Sequence, residues 1–425
     1  MITFMDGFDH YTTNAQLLHK WSGTSPGTLV PSAGAARYSG QGVALAANQV
    51  IYSAVRGAPA STMTIGLALY RTSASAQGYI GLCETVSNDP SIRVRVKTDG
   101  NVQVENWSGT AWVQLGVTTT APVAASTWYY VTIVVNYAST TSGYVHVLVN
   151  TTRVLALDSV ITRTSGSLTT LGAFAFYNEA GQSYIDDVYV SNTAVLYGSG
   201  TNLPCRIVTM LPTGAGDLTQ LALYGAATNW QAVASQTPPT IGTKYVSGLS
   251  HGIKDLYTLG PAISTGTYIF AVNVLLYGSN AAASFAAFAP VVKCGGTSPG
   301  TFYGEALPLT ASPAYRQKIW TTNPAGSSAS YGGWTPAEVN AMQAGLMVYN
   351  AATPALPAGA KTIYLPAALL EATPGKAYSV RVTAIAPTGT LARDAAGVCT
   401  AVTIDDGGVA FAHQFVIEVL RWTGP

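Results

Sequence analysis

The chain has 425 residues, enough for two or three domains. Its 20 basic and 19 acidic residues give a formal net charge of +1, so the sequence offers no field that would attract nucleic acid or an anionic membrane. Only 9% of the residues are charged, against about 25% in an ordinary soluble domain. A surface with so little charge favours packing against other subunits, and we expect a homo-oligomer.

Neither the histidines nor the cysteines have the spacing of a metal site. The five histidines form no H-x-H, H-x-x-x-H or H-E-x-x-H motif, and no two cysteines form a C-x-x-C pair. We therefore expect no metal and no cofactor. The N-terminus lacks a basic segment followed by an apolar one, so we expect no signal peptide and synthesis in a cytoplasm. Buried free thiols are expected at Cys83, Cys205, Cys294 and Cys399.

Short alternating strands dominate the first 197 residues. Thr13 is a candidate N-cap for a short helix over residues 15–20. Residues 92–97 alternate between apolar and polar side chains, and a turn at residues 99–101 leads into a strand at 102–107, which predicts a hairpin. Many short strands with glycine-rich turns predict a β-sandwich or barrel.

The last strand of this region, at residues 184–190, precedes a turn-rich linker at 197–204. We expect residues 185–190 to pair with residues 4–8 and so to bring the two ends of the first domain together.

Strict alternation along this last strand predicts which side chains are buried. Val188 and Val190 would face the core. Ile185, Asp187 and Tyr189 would share the opposite face, with Tyr189 partly exposed and Asp187 hydrogen-bonded at the edge.

Residues 262–292 contain no charged side chain, which raises the alternative of a membrane span. A Gly-Ser-Asn stretch at 278–280 and Pro290 interrupt the segment. Two buried strands, at 268–277 and 286–293, are therefore the better interpretation.

One helix has clear start and stop signals. Thr335 is the expected N-cap, Pro336 occupies the first helical position, and Glu338 completes a capping box. Gly345 is the expected C-terminal stop. The apolar stripe of this helix is expected to consist of Val339, Met342 and Leu346.

Residues 351–357 are rich in alanine and proline and mark a second boundary. Strands separated by glycine-containing turns follow. They predict a small C-terminal β module, or a set of strands added to the second domain, whose exposed edges would invite pairing with a neighbouring chain.

Several short motifs occur in a characteristic order along the chain. In the first domain they lie at residues 5–11, 17–21, 128–130 and 185–189, and in the second at residues 208–213, 229–233, 245–247, 255–257, 320–324 and 334–345. Their order resembles that of bacteriophage virion proteins, with a laminin-G/concanavalin-like jelly roll followed by a second phage β domain, over roughly residues 1–348.

This resemblance implies a non-enzymatic structural protein of the virion, made in the cytoplasm of the host bacterium. It would assemble in multiple copies, with itself and with other virion proteins, as a tail appendage, a tail fibre component or a decoration of the capsid. Together with the strand pattern it predicts an all-β chain. The expected parts are a concanavalin-like jelly-roll β-sandwich at 1–197, a second β-sandwich with one short helix at 205–350, and a β module at 351–425.

Two Gly-x-Ser-x-Gly stretches, centred on Ser25 and Ser298, match the pattern of a hydrolase nucleophile. Such a site uses the backbone N–H of the residue after the serine. Here that residue is proline, Pro26 or Pro299, which has no N–H. We therefore expect no catalytic residue at either position.

Adjacent carboxylates occur at Asp186-Asp187 and at Asp405-Asp406. On a strand each pair would point to opposite faces, which does not suit a glycosidase. Glu179 is close to Asp186 in sequence, and this pairing stays open. The resemblance also leaves calcium at Asp186 or Asp187 open, whereas a hairpin turn explains the second pair.

Trp107 and Trp112 flank a Ser-Gly-Thr turn and are the candidate residues for stacking on a glycan. Packing across the hairpin or in a subunit interface is the stronger interpretation. A host-surface glycan-binding, lectin-like module is therefore the alternative function, and a depolymerase is a third. No nucleic-acid partner and no membrane insertion are expected.

Overall fold

The computed structural model describes residues 1–24, 29–54, 60–85, 90–164, 168–194, 204–234, 243–265, 268–280, 286–296, 298–327, 333–350, 391–393, 399–402 and 410–422. Nearly all regular structure in these residues is β.

The first domain is a two-layer sandwich. Its strands are β1 Ile2–Asp6, β2 Ser22–Thr24, β3 Val30–Ser32, β4 Gly42–Leu45, β5 Gln49–Ala54, β6 Thr62–Arg71, β7 Gln77–Cys83, β8 Ile92–Val96, β9 Val102–Trp107, β10 Trp112–Val117, β11 Trp128–Asn136, β12 Gly143–Val149, β13 Thr152–Val160, β14 Ala173–Ala180 and β15 Ser183–Ser191. A short helix, α1 (Asn14–Leu17), and a 3₁₀ turn (Ala33–Ala35) lie between the early strands.

Two antiparallel sheets form the layers of this sandwich. The eight-stranded sheet has the order β13-β12-β11-β6-β15-β4-β3, with β1 added on β15. The seven-stranded sheet has the order β10-β9-β8-β7-β14-β5-β2. Alternate side chains from both sheets, among them Val94, Val104 and Val131, meet in one buried core. The predicted all-β, jelly-roll sandwich is confirmed.

The remaining described strands are β16 Cys205–Thr219, β17 Ala222–Tyr224, β18 Tyr245–Gly248, β19 Lys254–Gly260, β20 Ile269–Asn280, β21 Ala286–Cys294, β22 Gly300–Tyr303, β23 Leu307–Pro308, β24 Ala314–Trp320, β25 Gln343–Asn350, β26 Leu391–Arg393, β27 Cys399–Val402 and β28 Ala410–Trp422. Two short helices accompany them, α2 (Asn229–Val233) and α3 (Pro336–Ala341), where the sequence predicted only one.

Eleven of these strands form one further sheet, which we call the second sheet because it belongs to the second part of the chain. Strand β28 lies inside it. The main path is β17-β18-β28-β16-β19-β25-β21-β22. β28 also pairs with β20, which in turn pairs with β24. This placement agrees with the alternative in which C-terminal strands are added to the second domain. The domain boundaries themselves, 1–197, 205–350 and 351–425, remain predictions.

Both predicted helix starts are confirmed. Thr13 caps α1 with Gln16 completing the box, and Thr335 caps α3 with Glu338. The predicted end of α3 is wrong, because the helix stops at Ala341 and the chain continues as β25.

The glycine predicted to stop α3 serves a different purpose. A Cβ on Gly345 would lie 1.8 Å from the carbonyl oxygen of Asp255, on the neighbouring strand β19. Gly345 is therefore required for close strand packing. Leu346 lies in β25 and is not part of a helical stripe.

The predicted pairing of the last strand of the first domain is confirmed, but its alternation is wrong. β15 pairs with β1, with Phe4 opposite Val190. Asp187 has a φ of 53° at a register shift, so the alternation is broken there. Ile185, Val188 and Val190 consequently all reach the same core.

Tyr189 is fully buried rather than partly exposed. It packs with Ile207 and Phe270, which belong to β16 and β20. The second sheet thus covers the part of the eight-stranded sheet that the sequence pattern left open to solvent.

The apolar segments at 268–277 and 286–293 are strands, β20 and β21, as predicted. Across the described residues, no helix has both the length and the apolar character to span a membrane. Cys83, Cys205 and Cys294 are buried free thiols, as predicted, whereas the Cys399 side chain lies outside the described part.

Candidate functional site

The outer face of the seven-stranded sheet carries a cluster of aromatic and charged side chains. On β8, Ile92 and Val94 point into the core, so alternation places Arg93 and Arg95 on the opposite side. We call this surface the aromatic–arginine face. It consists of Tyr79, Arg93, Arg95, Gln103, Glu105, Trp107, Trp112, Tyr177 and Glu179.

Strand register assembles this face from five strands. Tyr177, Tyr79, Arg95 and Gln103 lie opposite one another on β14, β7, β8 and β9. A second row runs through Gly81, Arg93 and Glu105, and a third pairs Trp107 with Trp112. These cross-strand neighbours are within side-chain reach of one another.

Arg93 lies at the centre of the face. Its Nε donates to Glu105 Oε2 at 2.5 Å. Its guanidinium lies 4.1 Å from the ring centre of Trp112 and 5.3 Å from that of Tyr79. Gln103 Nε2 donates to the other oxygen of Glu105 at 3.0 Å, so both carboxylate oxygens are bonded.

Arg95 and Glu179 form a two-point ion pair beside it. Arg95 Nε donates to Glu179 Oε2 at 2.7 Å, and its Nη2 donates to Oε1. The hydrogen bond to Glu179 raises the pKa of Arg95. Tyr79 and Tyr177 stack with their ring centres 5.0 Å apart, and burial raises the pKa of Tyr79 to about 12.

Trp107 and Trp112 lie on the paired strands β9 and β10, with ring centres 5.4 Å apart and planes tilted by 56°. Both rings are only partly buried. The tryptophans singled out from the sequence therefore do meet at the hairpin. Arginines and tyrosines beside them were not predicted, although the alternation of residues 92–97 is a signal that places Arg93 and Arg95 on one face.

Alternation predicted that the carboxylates of Asp186 and Asp187 point to opposite faces, and this prediction is wrong. Asp186 Oδ2 accepts from the backbone N–H of Arg37 at 2.8 Å, and Asp187 Oδ2 lies 3.4 Å from Nη1 of the same arginine. The break in alternation at Asp187 brings both acids to one junction.

Asp9, which lies near Asp187 and accepts a hydrogen bond from the backbone N–H of Gln41, is a third acid at this junction, and burial changes the pKa values of all three. Desolvation raises the pKa of Asp9 to about 7 and that of Asp187 to about 6, and it raises the pKa of Asp186 well above its usual range. Glu179 lies on the other sheet, bound to Arg95, so the structure does not bring it together with Asp186. In the described part of the chain, no group of three potential ligands could hold a metal.

Ser298 and His146, which the sequence analysis weighed as a nucleophile and as a metal ligand, make hydrogen bonds or close polar contacts within the protein. The backbone N–H of Ser298 donates to the carbonyl of Ala325 at 2.6 Å. His146 Nε2 lies 2.7 Å from a carboxylate oxygen of Asp158. Ser25 and the pair Asp405-Asp406 lie outside the described residues.

No protein-family model matches the chain, and no curated protein matches it.

Solved structures of jelly-roll, concanavalin-like carbohydrate-binding or lyase domains are similar to parts of the chain. An endo-β-1,4-glucuronan lyase from the fungus Trichoderma reesei is 12% identical, over 45% of this chain and 96% of the lyase, with a TM-score of 0.32. The carbohydrate-binding module CBM66 from Bacillus subtilis is 13% identical, over 40% of this chain and 92% of the module, with a TM-score of 0.29. Galectin LEC-6 from Caenorhabditis elegans is 19% identical, over 35% of this chain and 95% of the galectin, with a TM-score of 0.26.

What these proteins bind or cleave is a property of those proteins. The strand order and the two packed sheets of this chain show an all-β architecture that begins with a jelly-roll sandwich.

Proposed function

We propose that the chain is a non-enzymatic adhesion module that binds a glycan on the aromatic–arginine face. The observation that carries this proposal is the partly buried set formed by Trp112, Arg93 and Tyr79, in which the guanidinium lies over both rings. Aromatic rings offer an apolar surface to the C–H groups of a sugar ring, and guanidinium and amide groups bond to its hydroxyls.

The position of the face in the fold supports this role. The second sheet packs against the eight-stranded sheet through Tyr189 and Ile207. The aromatic–arginine face belongs to the other layer of the sandwich, so a ligand can approach it without separating the two parts of the chain.

The carboxylates on this face are arranged for binding rather than for catalysis. Glu105 and Glu179 are each held by an arginine, Arg93 and Arg95. An acid or nucleophile of a glycosidase must be free to exchange a proton or to attack the sugar. We therefore assign these acids to the support of the arginines.

Glycan binding is tested by calorimetric titration with a panel of oligosaccharides. Trp112→Ala should weaken binding of the responding glycan by about tenfold or more, because an aromatic contact is lost. Trp230→Ala, at a partly buried tryptophan of α2, is the matched control and should leave the affinity unchanged. Equal effects of the two substitutions, or no binding to any glycan, would overturn the proposal.

The absence of enzymatic activity has its own test. The wild-type protein is incubated with polysaccharides, and new reducing ends and unsaturated uronates are measured. We expect neither product. A product that disappears in Glu105→Gln or Glu179→Gln would assign the chain to the depolymerases instead.

A structural role in a bacteriophage virion is the second proposal, and it can coexist with glycan binding. Its support is the order of the phage-like motifs and the 9% charged content, which suits contacts between copies of the chain. The protein would then be a tail appendage, a fibre component or a capsid decoration. Electron microscopy of particles with the labelled protein tests this, and a label absent from every particle would contradict it.

A further inference from the structure

We propose that the aromatic–arginine face selects neutral glycans over glycans that carry uronic acids. This inference rests on the proposed function and adds the class of ligand.

The charges of the face cancel. Two arginines, Arg93 and Arg95, stand beside two glutamates, Glu105 and Glu179, in pairs whose side chains are at most 26% exposed. A uronate carboxylate approaching either arginine would therefore also meet the carboxylate already bonded to it. Like charges at such distances repel, and they do so more strongly where water is partly excluded.

Donors of both arginines that would suit a carboxylate are already engaged. Arg95 uses its Nε and Nη2, the two donors of one guanidinium edge, on Glu179. Arg93 uses Nε on Glu105 and stacks its plane against Trp112. The two-point edge of Arg95 is thus filled from within the protein, and the Nε of Arg93 is bonded as well, so both arginines have fewer donors left for a carboxylate.

The amide groups of this face that are not used in the ion pairs are suited to bind the hydroxyl groups of a sugar. Gln103 donates its Nε2 to Glu105, which leaves its amide oxygen as an acceptor, and the exposed Gln114 offers both an acceptor and donors. A sugar hydroxyl both donates and accepts, so it can use such amides without any charge being displaced. The internal ion pairs hold the arginines in place before a ligand arrives, which reduces the loss of side-chain freedom on binding.

The test compares ligands that differ only in charge. β-1,4-linked glucose oligosaccharides are titrated beside β-1,4-linked glucuronic acid oligosaccharides of equal length, and mannose oligosaccharides beside mannuronic acid oligosaccharides. We expect the neutral member of at least one pair to bind about tenfold or more tightly. Tighter binding of the uronates would overturn this inference and leave the proposed function standing. Failure of all four ligands to bind would count against both.

Two variants sharpen the comparison. Glu105→Gln and Glu179→Gln each leave one arginine without its counter-charge while keeping the side-chain shape. We expect each to increase the affinity for the uronate oligosaccharides by about tenfold, with an effect that shrinks at high salt. Unchanged uronate affinity in both variants would show that the glutamates do not exclude anionic ligands. Asp99→Asn, at an exposed turn of the same sheet, is the control for a change of net charge alone.

Discussion

The carboxylate of Asp187 accepts a hydrogen bond from the backbone N–H of Ile207, with 2.7 Å between Oδ1 and the nitrogen. This contact joins the strand that closes the first sandwich, β15, to the first strand of the second sheet, β16. Arg37 reinforces it, since its Nη1 lies 3.4 Å from Asp187 Oδ2 and donates to the carbonyl oxygen of Cys205 at 3.0 Å. The junction between the two parts is therefore built from directed polar contacts as well as from apolar packing.

Substitution of Asp187 should reveal how strongly this junction contributes to stability. Asp187→Asn keeps an oxygen that can accept from Ile207, so we expect the protein to remain folded with a small loss. Asp187→Leu removes the acceptor of the Ile207 N–H and the carboxylate beside the partly buried Arg37, and it should lower the free energy of unfolding by about 3–5 kcal/mol. Chemical denaturation checks this. Equal losses in the two variants would contradict the assigned role of the oxygen.

The core position of Val188 gives a second prediction. The side chain is fully buried between the two sheets of the first sandwich. Val188→Asp places a charge there without a partner and should unfold the first domain. Val113→Asp, at a residue that is 46% exposed on β10, is the matched control and should fold normally. Circular dichroism and thermal melting of the pair provide the measurement.

The raised pKa values at the junction predict a dependence of stability on pH. Asp9 has a pKa of about 7 and Asp187 one of about 6 in the folded protein, both above the ordinary value of 3.8. The folded state therefore binds more protons than the unfolded state between about pH 4 and pH 7. The contribution of these groups is fully present below pH 4 and is lost as the pH rises through 6 to 7.

Asp9→Asn isolates one of these groups. The amide cannot ionise, and its oxygen can still accept the bond that Gln41 N–H donates to Asp9 at 2.9 Å. The melting temperature of the variant relative to wild type should therefore rise between pH 5 and pH 8. Asp99→Asn is the control, because Asp99 is exposed and its pKa is lowered by hydrogen bonds from Asn101. A difference that stays constant with pH would refute the proposed burial effect at Asp9.

Because β28 pairs with strands on both sides, a proline substituted into it should strongly destabilise the second sheet. Ile417 lies opposite both Met210 on β16 and Val274 on β20, so it is in an interior strand. Ile417→Pro should unfold the second sheet, since proline provides no N–H and is tolerated mainly at sheet edges. Leu223→Pro, on the terminal strand β17, should be much milder. Hydrogen exchange followed by mass spectrometry distinguishes loss of the second sheet from loss of the whole fold.

Local signals in the sequence predicted much of this structure, and contacts between distant residues explain what they missed. The N-cap at Thr13 and the capping box at Thr335 were found, because each depends on four successive residues. The left-handed conformation of Asp187 and the burial of Tyr189 depend on the second sheet, which no window along β15 contains. Trp107 and Trp112 were found because they flank one turn, whereas Glu179 meets Arg95 only through the strand order.

The position of β28, the last described strand, determines the order in which the two parts of the protein can fold during synthesis. β28 fills the position between β16 and β20, both of which leave the ribosome long before it. The first sandwich takes its strands from residues 2–191 and can close while synthesis continues. Until residues 410–422 emerge, the edges of β16, β18 and β20 that pair with β28 stay unsatisfied. Pairing of such distant segments is slow, and in the meantime the open edges are exposed to wrong partners. A nascent chain stalled before residue 410 keeps these edges exposed, so it should be the form that recruits chaperones.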